Sequence, residues 1–202
     1  MAIQAVIFDL GGVLVRTADF TPRARLGARF GMTAEELMDL VFGLESGKRA
    51  QLGLVSAAQH WEHVRQTLGI SPPELKEFQD IFWSEDHLDV ELVDTLRRLR
   101  RTHRTALLSN ALPDVHGLIT DQLKIDDAFD VMVFSCEVGI MKPDARIYQL
   151  VLQQVGVPAG QAVFVDDTLR NVEAARAIGM QAIHYQSTPQ TLAELSVQLQ
   201  AG

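Results

Sequence analysis

Four apolar runs in this 202-residue sequence end on residues that can do chemistry. Val6-Ile7-Phe8 leads into Asp9 and the turn Leu10-Gly11-Gly12. Thr105-Ala106-Leu107-Leu108 leads into Ser109-Asn110, Val131-Met132-Val133-Phe134 into Ser135, and Ala162-Val163-Phe164-Val165 into Asp166-Asp167. A carboxylate such as Asp9 is a competent nucleophile when its site keeps it ionised. Two adjacent carboxylates repel each other at a cost that a nearby cation removes, which makes Asp166-Asp167 a candidate cation site. The plainer alternative there is helix capping by Asp167 or Thr168. For Asp9 alone the alternative is a turn cap, since Asp and Gly are common in turns for conformational reasons.

These residues act together only if the chain brings them to one rim. Each run is short and without alternation, as in a strand buried on both faces of a parallel sheet. Helical stretches follow the later runs, and strand–helix alternation implies right-handed crossovers and a parallel sheet. Open α/β sheets bind ligands outside the carboxyl ends of their strands, where the strand order reverses. The four polar endings would meet there. In Gly139-Ile140-Met141-Lys142-Pro143-Asp144, the proline suits the first turn of a helix, which would direct Lys142 to the same rim.

Taken in order, the segments FDLGGVL, LLSNA, EVGIMKPD and VFVDDTLRNVEAA resemble the haloacid dehalogenase (HAD) superfamily over the whole chain. They look most like its helical-cap branch, which holds sugar-phosphate phosphatases and the phosphatase domain of soluble epoxide hydrolases. The resemblance implies an α/β fold, a doubly wound parallel sheet forming a Rossmann-like core, with an inserted small α-helical cap that closes over the rim and chooses the substrate. It further implies a Mg²⁺-dependent phosphatase acting on a small phosphorylated metabolite, such as a sugar phosphate, through a phospho-aspartate on Asp9. Asp9, Ser109 and Lys142 would then be catalytic. Ser109, Asn110, Lys142, Gly11 and Gly12 would contact phosphate or substrate. Asp9, the carbonyl of Gly11, Asp166 and Asp167 would hold the metal, with either acid of the pair as the direct ligand, and Asn171 one turn on is expected to hydrogen-bond the site. The chemistry is coherent: a transferring phosphoryl group spreads negative charge over its oxygens, and Mg²⁺ favours hard oxygen ligands while keeping several waters.

Gly11 departs from the family pattern. Most phosphatases of the superfamily carry a second aspartate two residues after the nucleophile, which protonates the leaving oxygen and later activates water. General acid–base help is worth about 10²–10⁴-fold, so its loss should be felt. The leaving group could be a good one, a water or a cap residue such as Asp19 could stand in, or the chain could be a catalytically weakened binding or regulatory protein. Members of the resembled branch with DLG at this place speak against simple inactivity. A phosphomutase is a further alternative; a dehalogenase would carry a bulky tyrosine here and lack the double aspartate.

Between about Arg16 and His87 the chain changes character. Apolar strands are absent, and helical periodicity covers Ala34 to Phe42 and Ala57 to Leu68, broken at Gly43, Gly53, Gly69 and Pro72-Pro73. This reads as the cap, giving a core of residues 1–16 and 88–202 and a cap of residues 17–87. Trp61, Trp83, Phe42 and Phe82 read as cap core. His60 and His63 stand three apart without a third ligand at a metal-site spacing and read as a solvent-facing pair.

Composition is that of an ordinary globular enzyme, 47% hydrophobic and 22% charged. The net charge of -8 opposes wrapping nucleic acid or lying on anionic lipid. Arg97-Arg98-Leu99-Arg100-Arg101 ends a predicted helix, where cations complement the dipole, and reads as a solvated face. The single cysteine, Cys136, reads as a buried thiol. With no signal peptide or membrane-span pattern, a cytoplasmic protein, monomeric or homodimeric, is expected.

Overall fold

The computed structural model describes residues 2–200. Strands β1 (Ala5–Phe8), β2 (Val15–Thr17), β3 (Asp86–Leu88), β4 (Arg104–Ser109), β5 (Val131–Phe134), β6 (Ala162–Asp166) and β7 (Gln181–His184) form two sheets. The larger has the order β5-β4-β1-β6-β7 and every pairing in it is parallel. From β1 the chain adds β4 and β5 on one side, then returns to add β6 and β7 on the other. The order therefore reverses beside β1, the place where such sheets form their ligand crevice.

Both faces of the sheet are covered, which is why the strand runs are continuously apolar. Ala5, Ile7, Ala106, Leu108 and Phe164 pack under helices Ala145–Val155 and Leu169–Ala177. Val6, Phe8, Leu107, Val163 and Val165 pack under helices Val90–Leu99 and Thr188–Gln200. All four residues of β1 are fully buried, so the strand end carrying Asp9 rests on the core.

The segment read as all-helical also holds two short strands. β2 and β3 pair antiparallel, Arg16 opposite His87, so a ribbon lies where the sequence placed the boundary between core and cap. Their residues VRT and DHL hold one apolar side chain each and pair across about 70 positions, a contact that local periodicity does not encode. Buried Arg23 locks this ribbon: its guanidinium donates to the Phe82 carbonyl, Thr17 Oγ1 and Asp86 Oδ1, each at 2.7 Å. Asp89 adds a second tie by accepting from Arg16, from Thr188 Oγ1 and from the Leu92 amide.

Between the ribbon strands, helices Thr21–Ala28, Ala34–Met38, Glu45–Gln51, Ala57–Leu68 and Pro72–Phe82 enclose their own core of Leu26, Leu37, Trp61, Val64, Phe78 and Phe82. The periodic stretch Ala34 to Phe42 splits, its second half widening into a π-helical turn over Asp39–Gly43. Pro72-Pro73 opens a helix instead of breaking one, because Ser71 caps it and Glu74 reaches back to the Ser71 amide at 2.7 Å. Trp61 and Phe82 are buried, whereas Trp83 is 39% exposed at the edge of the aromatic cluster. His60 corrects the expectation of a solvent-facing pair: it is fully buried with Nδ1 3.0 Å from Ser46 Oγ, and only His63 faces out.

Two contacts seat this helical layer on the core. Leu112 of the loop after β4 joins the cap cluster, and Gly53, at φ +69°, lies so close to the Cys136 carbonyl that a Cβ there would come within 2.0 Å of its oxygen. Cys136 itself is half-buried, more open than the sequence suggested. Among the arginines at 97–101, Arg97 pairs with Asp94 and Asp127 and Arg100 with Asp130, a surface network of mutually neutralised charges. No helix among the described residues is long and apolar enough to cross a membrane.

Candidate active site

Parallel register brings the chemical residues to one rim. Phe8 lies between Leu107 and Val165, so Asp9 emerges one residue beyond, beside the end of β4 and next to Asp166. The Asp9 amide still bonds to the Val165 carbonyl at 2.9 Å, which ties its Cα to the sheet. Leu10 then turns the chain sharply, its carbonyl accepting from the amides of Leu14 and Val15 at 2.9 and 2.8 Å.

Lys142 is the centre of the cluster. It is 2% exposed, and its Nζ donates to Asp9 Oδ1 at 2.8 Å, Asp166 Oδ2 at 2.7 Å and the Leu108 carbonyl at 3.2 Å. All three ammonium protons are thus used. Pro143 does not occupy the first helical turn as expected: it sits in a turn ahead of Asp144, which caps helix Ala145–Val155 through the Arg146 amide at 2.9 Å. Lys142 is consequently presented by a loop, and that loop is held from β4. Asn110 takes the Lys142 amide on Oδ1 at 2.8 Å and donates Nδ2 to the Lys142 carbonyl at 3.0 Å. Its side chain is thereby engaged with the Lys142 backbone, a partnership the sequence did not suggest.

Oxygen atoms of Asp9, Asp166 and Asp167 lie within 4.8 Å of one another. The two adjacent acids differ sharply in surroundings. Asp166 is fully buried and saturated: Oδ1 accepts from the Thr168 amide at 2.8 Å, Oδ2 from Lys142, and both oxygens from Asn171 Nδ2 at 3.1 Å. Thr168 stands at the N-cap of helix Leu169–Ala177 without a side-chain capping bond, and Asn171 contacts the site as expected. Asp167 is exposed, and its carboxylate meets only the Thr168 hydroxyl at 3.4 Å. Its backbone is held by His184 at the end of β7, whose Nε2 lies 2.8 Å from the Asp167 carbonyl. The short, polar-ended run QAIH gave no strand signal, so His184 escaped the sequence reading.

Gly12 has φ +79°, and a Cβ there would come within 2.1 Å of Asp167 Oδ2. Its lack of a side chain makes room for an acid, where the sequence suggested room for a phosphate. At Gly11 the opposite holds: a Cβ would meet no atom within 4 Å. Ser109 is 3% exposed at the end of β4, and its hydroxyl bonds to no other described residue. Asp19 accepts from the Thr21 amide at 2.8 Å, and hydrogen bonding to Thr21 holds its carboxyl below the ordinary range. An exposed, ionised carboxylate of this kind is a poor stand-in for a proton donor.

The electrostatics follow from three carboxylates facing one ammonium. Burial pushes the Asp9 carboxyl up from 3.8 to about 7, against the pull of Lys142 and reinforced by the charge of Asp166. Asp167 is also raised, first by partial desolvation of its carboxyl against Gly12 and then by the charge of Asp166, although the residue as a whole is exposed. Lys142 stays protonated, its burial outweighed by Asp9 and Asp166. The cluster thus has a surplus of negative charge, and the oxygens without protein donors are Asp9 Oδ2 and Asp167 Oδ2. A hard cation fits such a donor set.

The chain is similar to several known proteins. A family model described as haloacid dehalogenase-like hydrolase matches residues 3–179. The sesquiterpene phosphatase astK of Aspergillus oryzae is 28% identical over 95% of this chain and 94% of its own length. A phosphoglycolate phosphatase of Pseudomonas putida is 31% identical over 89% of this chain and 68% of its own. A HAD family enzyme from Bacteroides thetaiotaomicron, solved in complex with magnesium and inorganic phosphate, superposes with a TM-score of 0.76 at 21% identity, covering 93% of this chain and 96% of that one.

Proposed function

The chain belongs to the haloacid dehalogenase-like hydrolases, and from that premise we propose that it hydrolyses small phosphomonoesters through a phosphorylated Asp9, with a divalent cation, Mg²⁺, as cofactor. The observation that carries this reading is the Asp9–Lys142–Asp166 cluster at the reversal point of the sheet, with Asp167 beside it.

Asp9 Oδ1 is held by the Leu10 amide at 2.7 Å and by Lys142, which leaves Oδ2 to attack phosphorus. The new Oδ2–P bond forms as the ester P–O bond breaks, and the departing alkoxide takes its proton from solvent, since residue 11 offers none. Water then attacks the acyl phosphate, the Asp9–phosphorus bond breaks, and phosphate leaves with the carboxylate restored. Splitting one difficult displacement into two is the benefit of a covalent nucleophile. Ser109 would donate its hydroxyl to a phosphoryl oxygen, and Lys142 would sit beside both anions and lower their repulsion. Asp9, Asp167 and the Gly11 carbonyl, which no described residue occupies, would hold the cation, with Asp166 acting behind them as the anchor of Lys142. When bound, the cation supplies charge neutralisation at the phosphoryl group. The magnesium in the structural relative from Bacteroides thetaiotaomicron supports this choice of ion.

Phosphate release tests the reading directly. Wild type with Mg²⁺ should turn over members of a panel spanning sugar phosphates, phosphoglycolate and phosphorylated sesquiterpenes, and Asp9→Asn should lower kcat to background, a loss of about 10³-fold or more. Wild-type rates in Asp9→Asn would refute it.

The raised Asp9 carboxyl adds a prediction about stability. Its value is about 7 in the folded protein against 3.8 ordinarily, so the fold binds this proton more tightly than the unfolded chain does. The associated stability is present below 3.8 and is lost as pH rises through about 7. A cation that takes the proton's place relieves the repulsion that appears at higher pH. The rise in melting temperature caused by Mg²⁺ is therefore expected to be larger at about pH 8 than at about pH 6. Equal shifts at the two values would contradict the assignment of Asp9 to the cation site.

A further inference from the structure

We propose that Asn110 is a positioning residue: by clamping the backbone of Lys142 it locks the Lys142 ammonium and the Ser109 hydroxyl into one rigid phosphate-holding unit on the end of β4. The proposal rests on the phosphatase reading above and adds to it a residue that touches neither the nucleophile nor the cation site.

Lys142 has no strand or helix to hold it. Its loop runs from helix Ser135–Val138 to helix Ala145–Val155, and the backbone bond within it is the turn from the Asp144 amide to the Met141 carbonyl at 3.0 Å. A buried lysine on such a loop needs outside partners for its own amide and carbonyl, because an unpaired buried backbone group is costly. Asn110 supplies both, at 2.8 and 3.0 Å, across 32 positions of sequence. Two antiparallel bonds from one planar amide fix the translation and the tilt of the Lys142 backbone together.

The far end of the same lysine is tied to the same strand. Lys142 Nζ donates to the Leu108 carbonyl at 3.2 Å, two residues before Asn110. β4 and its next residue therefore grip Lys142 at both ends, with Asn110 on the backbone and Leu108 on the ammonium. Ser109, with its hydroxyl free, stands between them. The separation of the Lys142 charge from the Ser109 hydroxyl is thus set by three consecutive residues, backed by a strand whose positions from Thr105 to Ser109 are buried. The loop carrying Lys142 contributes the side chain but not the accuracy. Misplacement of a reacting group by about 1 Å can cost about 10²-fold in rate, which makes such rigidity worth a dedicated side chain.

The experiment pairs Asn110→Ala with Lys142→Met. With p-nitrophenyl phosphate and Mg²⁺, Asn110→Ala is expected to lower kcat about 10–100-fold while KM changes less than about threefold, as loss of alignment predicts. Urea unfolding of the two single variants and the double variant supplies a readout independent of turnover. In wild type Asn110→Ala loses the backbone clamp and also loosens the buried ion pairs; with methionine at 142 it loses only the clamp. Its stability cost should therefore be smaller in the Lys142→Met background. Equal costs in the two backgrounds, or a kcat within about threefold of wild type, would overturn the proposal. Should wild type release no phosphate from any substrate, the phosphatase reading falls, and the unfolding cycle alone decides whether Asn110 positions Lys142.

Discussion

Gly11→Asp is expected to raise kcat for alkyl phosphates by about 10²–10⁴-fold, the contribution of a positioned general acid–base. Three features of position 11 favour the gain. A Cβ there meets nothing within 4 Å, and its φ lies outside the left-handed region, so a side chain enters without strain. The position is exposed at the rim, within the turn that follows Asp9. The carboxylates of Asp9 and Asp167 nearby would raise the pKa of an added aspartate, keeping part of it protonated near neutral pH, as a donor to the leaving oxygen must be. The gain should depend on the leaving group. An alkoxide needs protonation and should benefit fully, whereas p-nitrophenolate departs unaided and should benefit little. Steady-state kinetics with one ester of each kind provides the check. An unchanged alkyl phosphate rate would mean that chemistry is not rate-limiting or that proton transfer already comes from another group.

Lys142→Met should damage both stability and activity. The side chain is 1% exposed and bridges two carboxylates, one of them fully buried. Methionine fills similar volume, so the cost is electrostatic: Asp166 and Asp9 would lose their common cation inside the protein. Removing one partner of a buried pair costs about 3–5 kcal/mol, against a total stability of about 5–15 kcal/mol for a domain. Urea unfolding without metal should register this loss, and Mg²⁺ should recover part of it by supplying positive charge to the same acids. Activity should fall by about 10²–10³-fold, the usual effect of deleting one group aimed at developing charge. A variant with near-wild-type stability and rate would show that the ammonium is not the counter-charge of the cluster.

The two variants probe opposite properties of the site. Gly11 is a vacancy that a substitution fills without disturbing its neighbours. Lys142 is so deeply embedded that any substitution is felt throughout. Gly12 stands between them, since its missing side chain is occupied by the Asp167 carboxylate.

What the sequence by itself determined was four of the five strands of the larger sheet and the residues at their ends. The runs at the heart of β1, β4, β5 and β6 are apolar because both faces of a parallel sheet are covered, and burial of that kind is written in consecutive residues. Parallel strands joined by helices must present their carboxyl ends on one edge, so Asp9, Ser109 and Asp166-Asp167 were bound to meet. The helix Ala57–Leu68 was legible for a similar reason: Ser56 caps its start, Gly69 ends it, and its buried residues recur at helical spacing. The tertiary structure alone decided how the meeting residues divide their work. Asp166 and Asp167 are identical neighbours in sequence; one points into donors from Lys142, Thr168 and Asn171, the other toward the gap left by Gly12. Asn110 turned to the backbone of a residue 32 positions away. The β2–β3 ribbon and the edge strand β7 carry too little apolar sequence to announce themselves and exist through long-range pairing. Burial leaves its mark on each residue in turn, whereas partnership between distant polar groups is a property of the folded arrangement and appears only there.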